Sequence, residues 1–361
     1  MAAFHGTMGS SCPSLQARSE TAKLSAMDLQ RKMCRAIASA LTLCVAACTA
    51  DPKPQAVTAP VPDPSGCVWQ LPVAKGKIAA SKLVELSGLA ASRTHAGLFW
   101  AHNDSGNKPY LFLVGGDGTT KGIYNLVGAP NTDWEDIAVG PCQAPTVAVP
   151  APPPCVWVGD IGDNTNVRPS VALVRFAEPT VLPTAKKAET PLDVPPTEWQ
   201  TVAFTYPEGS QNAESLALLP DGRAIVLTKR DDATSVVYRV DGVGALQVQK
   251  AEIVAEHLGV LHVAVGTFTS GTETRVTGAD LNLAGTALIV RTYGSLQLLR
   301  NAQNLAGPAG TTMTGQIAAW KALALPSPAE TQGESVAWDA DETIWAAGEG
   351  DNPALYQVIC K

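Results

Sequence analysis

Eight carboxylates stand beside predicted strand ends in this chain: Asp104, Glu135, Asp136, Asp160, Asp163, Glu214, Asp280 and Glu334. Brought to one axis, they would form a ring of hard oxygen donors, the set that Ca²⁺ takes in six- to eight-fold coordination. Asp104, Asp136, Asp160, Asp163, Glu214, Asp280 and Glu334 are the expected ligands, with Asn103 and Asn164 beside them. Without a cation or basic neighbours such a ring repels itself, and some of its acids must hold protons. Lys229 and Arg291 fall at matching positions and are placed to stabilise developing negative charge. His102 or Glu135 is the expected general base. The chemistry this set supports is hydrolysis of an ester or phosphoester whose oxygen a bound cation polarises. The bland alternative is a solvated, salt-bridged ring with a structural role.

Other catalytic patterns are absent. The chain has no Gly-x-Ser-x-Gly, no His-Glu-x-x-His and no cysteine pair at zinc spacing. The segment Gly115-Gly-Asp-Gly-Thr-Thr-Lys121 lacks phosphate-loop spacing and reads as a turn.

The acids belong to a repeat. Five segments share a polar start, a small-apolar step, a turn and a strand ending in polar residues, beginning at Ser87, Glu135, Glu214, Ala279 and Glu334. Their spacings are 48, 79, 65 and 55 residues. Self-similarity at this period, carried by short strands, marks a radial all-β architecture. The expected fold is a single β-propeller of six antiparallel blades, its ring joined by the N- and C-terminal strands. The weakest blade is expected between Tyr238 and Thr277. Seven blades or a two-sheet sandwich are alternatives, but a sandwich does not explain a repeated polar start. The five-proline stretch over residues 178–198 reads as a connection outside the repeat. Trp100, Trp157 and Trp345 recur at one strand phase and are expected in the core between blades, whereas Trp134 lies among acids.

Residues 1–26 fit neither a leader nor the fold, and Met27 or Met33 is a plausible start. Residues 27–47 carry a basic segment followed by about a dozen apolar residues, the pattern of a secretory signal. Val45-Ala-Ala-Cys48 resembles the bacterial lipoprotein signal, making Cys48 the expected lipidation site, with an ordinary cleaved signal as the alternative. Residues 48–66 are then a lipidated Cys and a Pro-rich tether, and residues 67–361 the propeller. The expected location is the bacterial cell envelope, and the outer membrane in a Gram-negative host, because Thr49 rather than Asp follows Cys48. Membrane contact is expected through that lipid alone.

Four cysteines remain in the body. An even number in an oxidising compartment predicts two disulfides, Cys142 with Cys155 and Cys67 with Cys360, against reduced buried cysteines. Beyond residue 47 the chain carries 21 Lys and Arg against 31 Asp and Glu. That sign disfavours nucleic acid, whose binders need a basic face. The expected partner is a small-molecule or protein ligand at the channel mouth, bound by a monomer.

His102-Asn-Asp-Ser-Gly106, Asp133-Trp-Glu-Asp-Ile-Ala138, Gly159-Asp-Ile-Gly-Asp-Asn164, Thr228-Lys229, Arg291-Thr-Tyr293 and Gln332-Gly-Glu334 resemble the recurring pieces of a group of uncharacterised bacterial secreted propeller proteins. More distantly the chain resembles phytase-like and esterase-like six-bladed propellers, which implies axial Ca²⁺ and acidic chemistry. The Asp-Asp-Pro-Ala segment of the phytases is missing, and the basic residues reduce to Lys229, Arg291 and Arg168, which disfavours a hexaphosphate substrate. Two readings follow: a calcium-dependent ester or phosphoester hydrolase, or a non-catalytic propeller that binds a ligand at the envelope.

Overall fold

A computed structural model describes residues 59–243, 252–263, 271–308, 313–350 and 352–361. Cys48, the leader and most of the tether lie outside the described residues. The fold is an all-β propeller with five blades rather than six. From the inside outward, blade 1 is Leu86–Ala91, Leu98–Asn103, Tyr110–Gly115 and Thr120–Leu126. Blade 2 is Trp134–Pro141, Pro154–Asp160, Val171–Ala177 and Trp199–Thr205. Blade 3 is Ala213–Leu218, Ala224–Thr228, Thr234–Val240 and Glu256–His262. Blade 4 is Val276–Leu281, Ala287–Thr292, Leu296–Arg300 and Leu323–Leu325. Blade 5 is Gly333–Trp338, Ile344–Gly348, Ala354–Val358 and, from the other end of the chain, Val73–Lys77.

Among the described residues, the sixth blade expected between Tyr238 and Thr277 does not form. Thr234–Val240 and Glu256–His262 complete blade 3, and Ile253–Val254 adds a parallel edge strand to blade 2. The Pro-rich stretch over residues 178–198 connects the third and fourth strands of blade 2, and within it Pro191–Val194 pairs in parallel with Thr120–Leu126 as a fifth strand of blade 1.

The second strands read as apolar runs rather than alternating patterns because both of their faces are covered. Five apolar clusters fill the spaces between successive blades, the last joining Trp345 and Leu355 of blade 5 to Phe99 and Phe112 of blade 1. Trp100, Trp157 and Trp345 sit in these clusters as expected. Trp134 is also fully buried, its indole N–H donating to the Pro130 carbonyl at 2.8 Å. Both disulfides form, Cys67–Cys360 and Cys142–Cys155.

Every innermost strand carries a bulge at its first turn of ladder, and the bulged residues are Ser87, Glu135, Glu214, Thr277 and Glu334. A bulge re-aims one side chain out of the ladder. The fourth repeat therefore begins at Thr277, two residues before the start read from the sequence. Ser87 and Thr277 each donate a hydroxyl hydrogen bond to the bulge of the next blade, to the Glu135 carbonyl at 2.6 Å and the Gly333 carbonyl at 2.8 Å.

One residue past each bulge the strands crowd the axis with Gly88, Asp136, Ser215, Gly278 and Ser335. A Cβ at Gly278 would stand 2.8 Å from the Glu334 carbonyl oxygen, so no side chain fits there. Asp136 fills the space instead. Its carboxylate accepts from Ile137 N at 2.8 Å, Leu216 N at 2.8 Å and Ala279 N at 3.2 Å, joining three blades. Two residues further along, Asp280 stands where the other strands have Ala90, Ala138, Ala217 and Ala337. It accepts from Leu281 N at 2.8 Å and from Trp338 N of the next blade at 2.7 Å. The axis is thus filled by carboxylates bonded to backbone, at two levels.

Candidate functional site

Two sets of positions surround the mouth at the start of the innermost strands. The first is the bulge set, of which Ser87, Glu135, Glu214 and Glu334 line the cavity. The second is the residue just past the end of each second strand: Asp104, Ile161, Lys229, Tyr293 and Glu349. All of these except Ile161 line the same cavity, together with Asn164 and Gln332. The cavity is about 80 Å³, room for an ion and a few waters.

Two of its lining acids, Asp104 and Glu135, cluster with Asp133: each offers a carboxylate oxygen, and these atoms lie within 4.8 Å of one another. Gly162 closes in beside them. A Cβ there would overlap a Glu135 carboxylate oxygen and lie 2.5 Å from Asp133 Oδ2, so only glycine leaves both acids in place. Burial pushes the Glu135 carboxyl well above the usual range, and the charges of Glu214, Asp104 and Asp133 push it further. Burial also raises Asp104 and Asp133. Three hard donors that disfavour one another's charge are a fit for a divalent cation, which removes the repulsion on binding.

Beside the cluster, Lys229 Nζ donates to both oxygens of Glu214 at 2.6 Å and stands 5.0 Å from the centre of the Tyr293 ring. Burial opposes the lysine charge, but Glu214 and Tyr293 outweigh it and hold the pKa above its ordinary value. Gln332 Nε2 donates to Glu334 Oε1 at 2.8 Å and to Glu349, bridging two acids across blade 5. Burial pushes Glu334 up to about 8.

That shift has a direction in stability. The folded chain keeps a proton on Glu334 that the unfolded chain, at an ordinary 4.5, releases. Its contribution is therefore complete below pH 4.5 and is lost as pH rises through 8, a loss on the order of a few kcal/mol. Chelator-treated protein should melt lower at pH 8.5 than at pH 5, and Glu334→Gln should remove most of the difference. An unchanged difference in the variant would assign the effect elsewhere.

The expected site residues divide accordingly. Asp104, Glu135, Glu214, Lys229 and Glu334 meet at the mouth, Glu135 as a member of the acid cluster. Asp136 and Asp280 are axial plugs below it. Asp160 accepts from Asp133 N at 3.0 Å and from Arg168 Nη2 at 2.8 Å, and so shapes the loop that carries Asp133. Asp163 accepts from Val167 N at 2.9 Å and Arg168 N at 2.7 Å, capping a turn. These four carboxylates are not ligands at the mouth because backbone N–H groups occupy both oxygens of each, whereas Asp104 accepts Ser105 N at Oδ1 and keeps Oδ2 for the cluster. His102 is fully buried, with Nδ1 donating to the Asn103 carbonyl at 2.9 Å and its ring edge-on to Trp134. Burial lowers its pKa to about 4 and it does not line the cavity, so it is no base for this site. Arg291 is buried against Gly333 and donates to Glu330 at 2.6 Å, and it does not line the mouth cavity.

Asp133, Tyr293, Gln332 and Glu349 were not among the expected site residues. The phase that singles out Asp104 and Lys229, one past a second strand, also picks out Tyr293 and Glu349. Asp133 and Gln332 lie two residues before a bulge acid, a position the repeat marks equally.

No protein-family model matches the chain, and no curated protein matches it. Among solved structures, the PQQ-bound aldose sugar dehydrogenase of Streptomyces coelicolor aligns over 84% of this chain and 100% of its own, at 12% identity and a TM-score of 0.42. The apo-form soluble aldose sugar dehydrogenase of Escherichia coli aligns over 81% and 99%, at 9% identity and a TM-score of 0.41. A putative gluconolactonase aligns over 82% and 93%, at 11% identity and a TM-score of 0.37. Identities this low leave the chemistry of the mouth to be argued from its own residues.

Proposed function

We propose that this protein is an envelope-anchored lipoprotein, attached through Cys48, that hydrolyses a neutral or cationic ester, or a simple phosphoester, at a calcium-loaded propeller mouth. The observation that carries the proposal is the convergence of Asp104, Asp133 and Glu135 next to the Lys229–Glu214 pair and the protonated Glu334. Those three acids would hold the ion, which supplies positive charge against a substrate oxygen. Glu334, with a pKa of about 8, holds a proton at neutral pH and is suited to donate it to a leaving group. Lys229, kept charged by Glu214, stabilises negative charge that develops at the substrate.

A polar groove of about 500 Å³, lined among others by Asn166, Ser210, Gln211 and Asn212, meets the mouth cavity at Lys229 and gives a substrate room to lie. Arg230 in its lining is paired with Asp232, and Asp231 in its lining is paired with Arg275. This arrangement suits a neutral or cationic substrate better than a polyphosphate. The second reading, a non-catalytic ligand-binding propeller, is favoured by two observations: both oxygens of Glu214 hold Lys229, and His102 is walled off.

The test is a panel of ethyl acetate, ethyl butyrate and methyl phosphate, whose alkoxide leaving groups need a proton, with Ca²⁺ or with chelator. The proposal expects turnover on at least one that falls at least about 100-fold on chelation and in Glu334→Gln, the scale of a lost general acid. Activity indifferent to both changes, or none on any substrate, would leave the binding reading.

A further inference from the structure

The innermost strands have a second end, and it is chemically unlike the first. There Val139, Gly140, Pro141, Leu218, Pro220, Leu281 and Leu283 surround a cavity of about 350 Å³. The insertion over residues 143–154, closed by Cys142–Cys155, adds Pro145, Pro150 and Pro152 to its wall. Contributions from blades 1 to 4 place it at the axis, and Asp136 and Asp280 separate it from the acidic mouth.

Arg93, just past the innermost strand of blade 1, is the cation in that lining. Its side chain is half-buried and its guanidinium donates to no described residue; Nη1 is shut off from solvent, which leaves the other guanidinium nitrogens to face a ligand. Asp280 lies near enough to interact with it electrostatically, but the Asp280 oxygens are taken by Leu281 N and Trp338 N. Asn282, the other polar lining residue, is spent on Thr286, Ala287 and Glu342. A guanidinium with an unused donor at the edge of an apolar, proline-walled cavity matches a ligand with a carboxylate head and a hydrocarbon body.

We infer that the mouth opposite the acidic site binds an apolar monocarboxylate, its head on Arg93 and its chain among Val139, Leu218, Leu281 and Pro220. This site is independent of any cation at the acidic mouth.

Calorimetric titration of the full chain with octanoate, octanol and octylamine tests it. Octanoate should bind at least 10-fold more tightly than the other two, the scale of one charge-assisted hydrogen bond. Arg93→Gln should bring octanoate to the level of octanol. The backbone N–H of residue 93 bonds Glu178 whatever the side chain, so this variant keeps its loop. Leu283→Asp, at a half-exposed rim position, should weaken octanoate and strengthen octylamine. Equal binding of octanoate and octanol, or octanoate binding unchanged in Arg93→Gln, would overturn the assignment. So would concentration-dependent self-association that Leu283→Asp abolishes, since a second copy would then be the occupant.

Discussion

Asp136→Ala is expected to destabilise the fold by about 4 kcal/mol, read as a lower midpoint in denaturant unfolding. The substitution removes one carboxylate and leaves three backbone N–H groups without an acceptor, those of Ile137, Leu216 and Ala279. Each buried, unsatisfied donor costs about 1–3 kcal/mol, and Asp136 is fully buried. The loss is large because it falls on three innermost strands at once. Asp136→Asn keeps one acceptor but turns an NH₂ group toward donors, so it should recover only part of the loss. Asp163→Ala is the control: it removes a turn cap at the rim and should cost about 1 kcal/mol. An Asp136→Ala cost no larger than that of the control would contradict the axial role.

Replacing Cys67 and Cys360 with Ser should cost about 5 kcal/mol, more than any other covalent change in the body. The bond joins residues 293 apart, so it removes far more chain entropy from the unfolded state than Cys142–Cys155, whose separation is 13 and whose loss should cost about 3 kcal/mol. In the folded state the terminal segments are also held without sulfur. Arg300 donates to both oxygens of Asp63 at 2.6 Å, the Trp69 indole donates to Asp63 at 2.8 Å, and Val73–Lys77 pairs with Ala354–Val358. The Cys67→Ser/Cys360→Ser protein should therefore fold with the same β-sheet signature and unfold at a lower denaturant concentration. A smaller cost than that of Cys142→Ser/Cys155→Ser would mean that the unfolded chain already keeps its ends together.

The repeat was readable because each blade starts with the same bulge and small-apolar step, and five such units were visible in the sequence. The sixth blade was an over-reading of strands at 234–240 and 253–262, whose apolar patterns say strand but not which sheet they extend. The fourth unit was misplaced by two residues because Thr277-Gly278 offers a hydroxyl where its counterparts offer acids, while Asp280 supplies a carboxylate nearby. That slip placed Asp280 at the mouth instead of two residues below the level of Asp136. Residue type alone does not tell a ligand from a backbone cap. Asp136, Asp160 and Asp163 look like Asp104 in the sequence, and the N–H groups that occupy them arrive from other blades or from the turn their own loop makes. Glu214, Lys229 and Glu334 were legible because a bulge and a strand end leave their side chains nowhere to go but the mouth.

The proposed cation site at Asp104, Asp133 and Glu135 is to be tested by calcium calorimetry on chelator-stripped protein. One saturable site of micromolar affinity or tighter is expected, lost in Asp104→Asn/Glu135→Gln and retained in Asp163→Asn. No binding up to millimolar calcium, or binding that the double variant leaves unchanged, would contradict it.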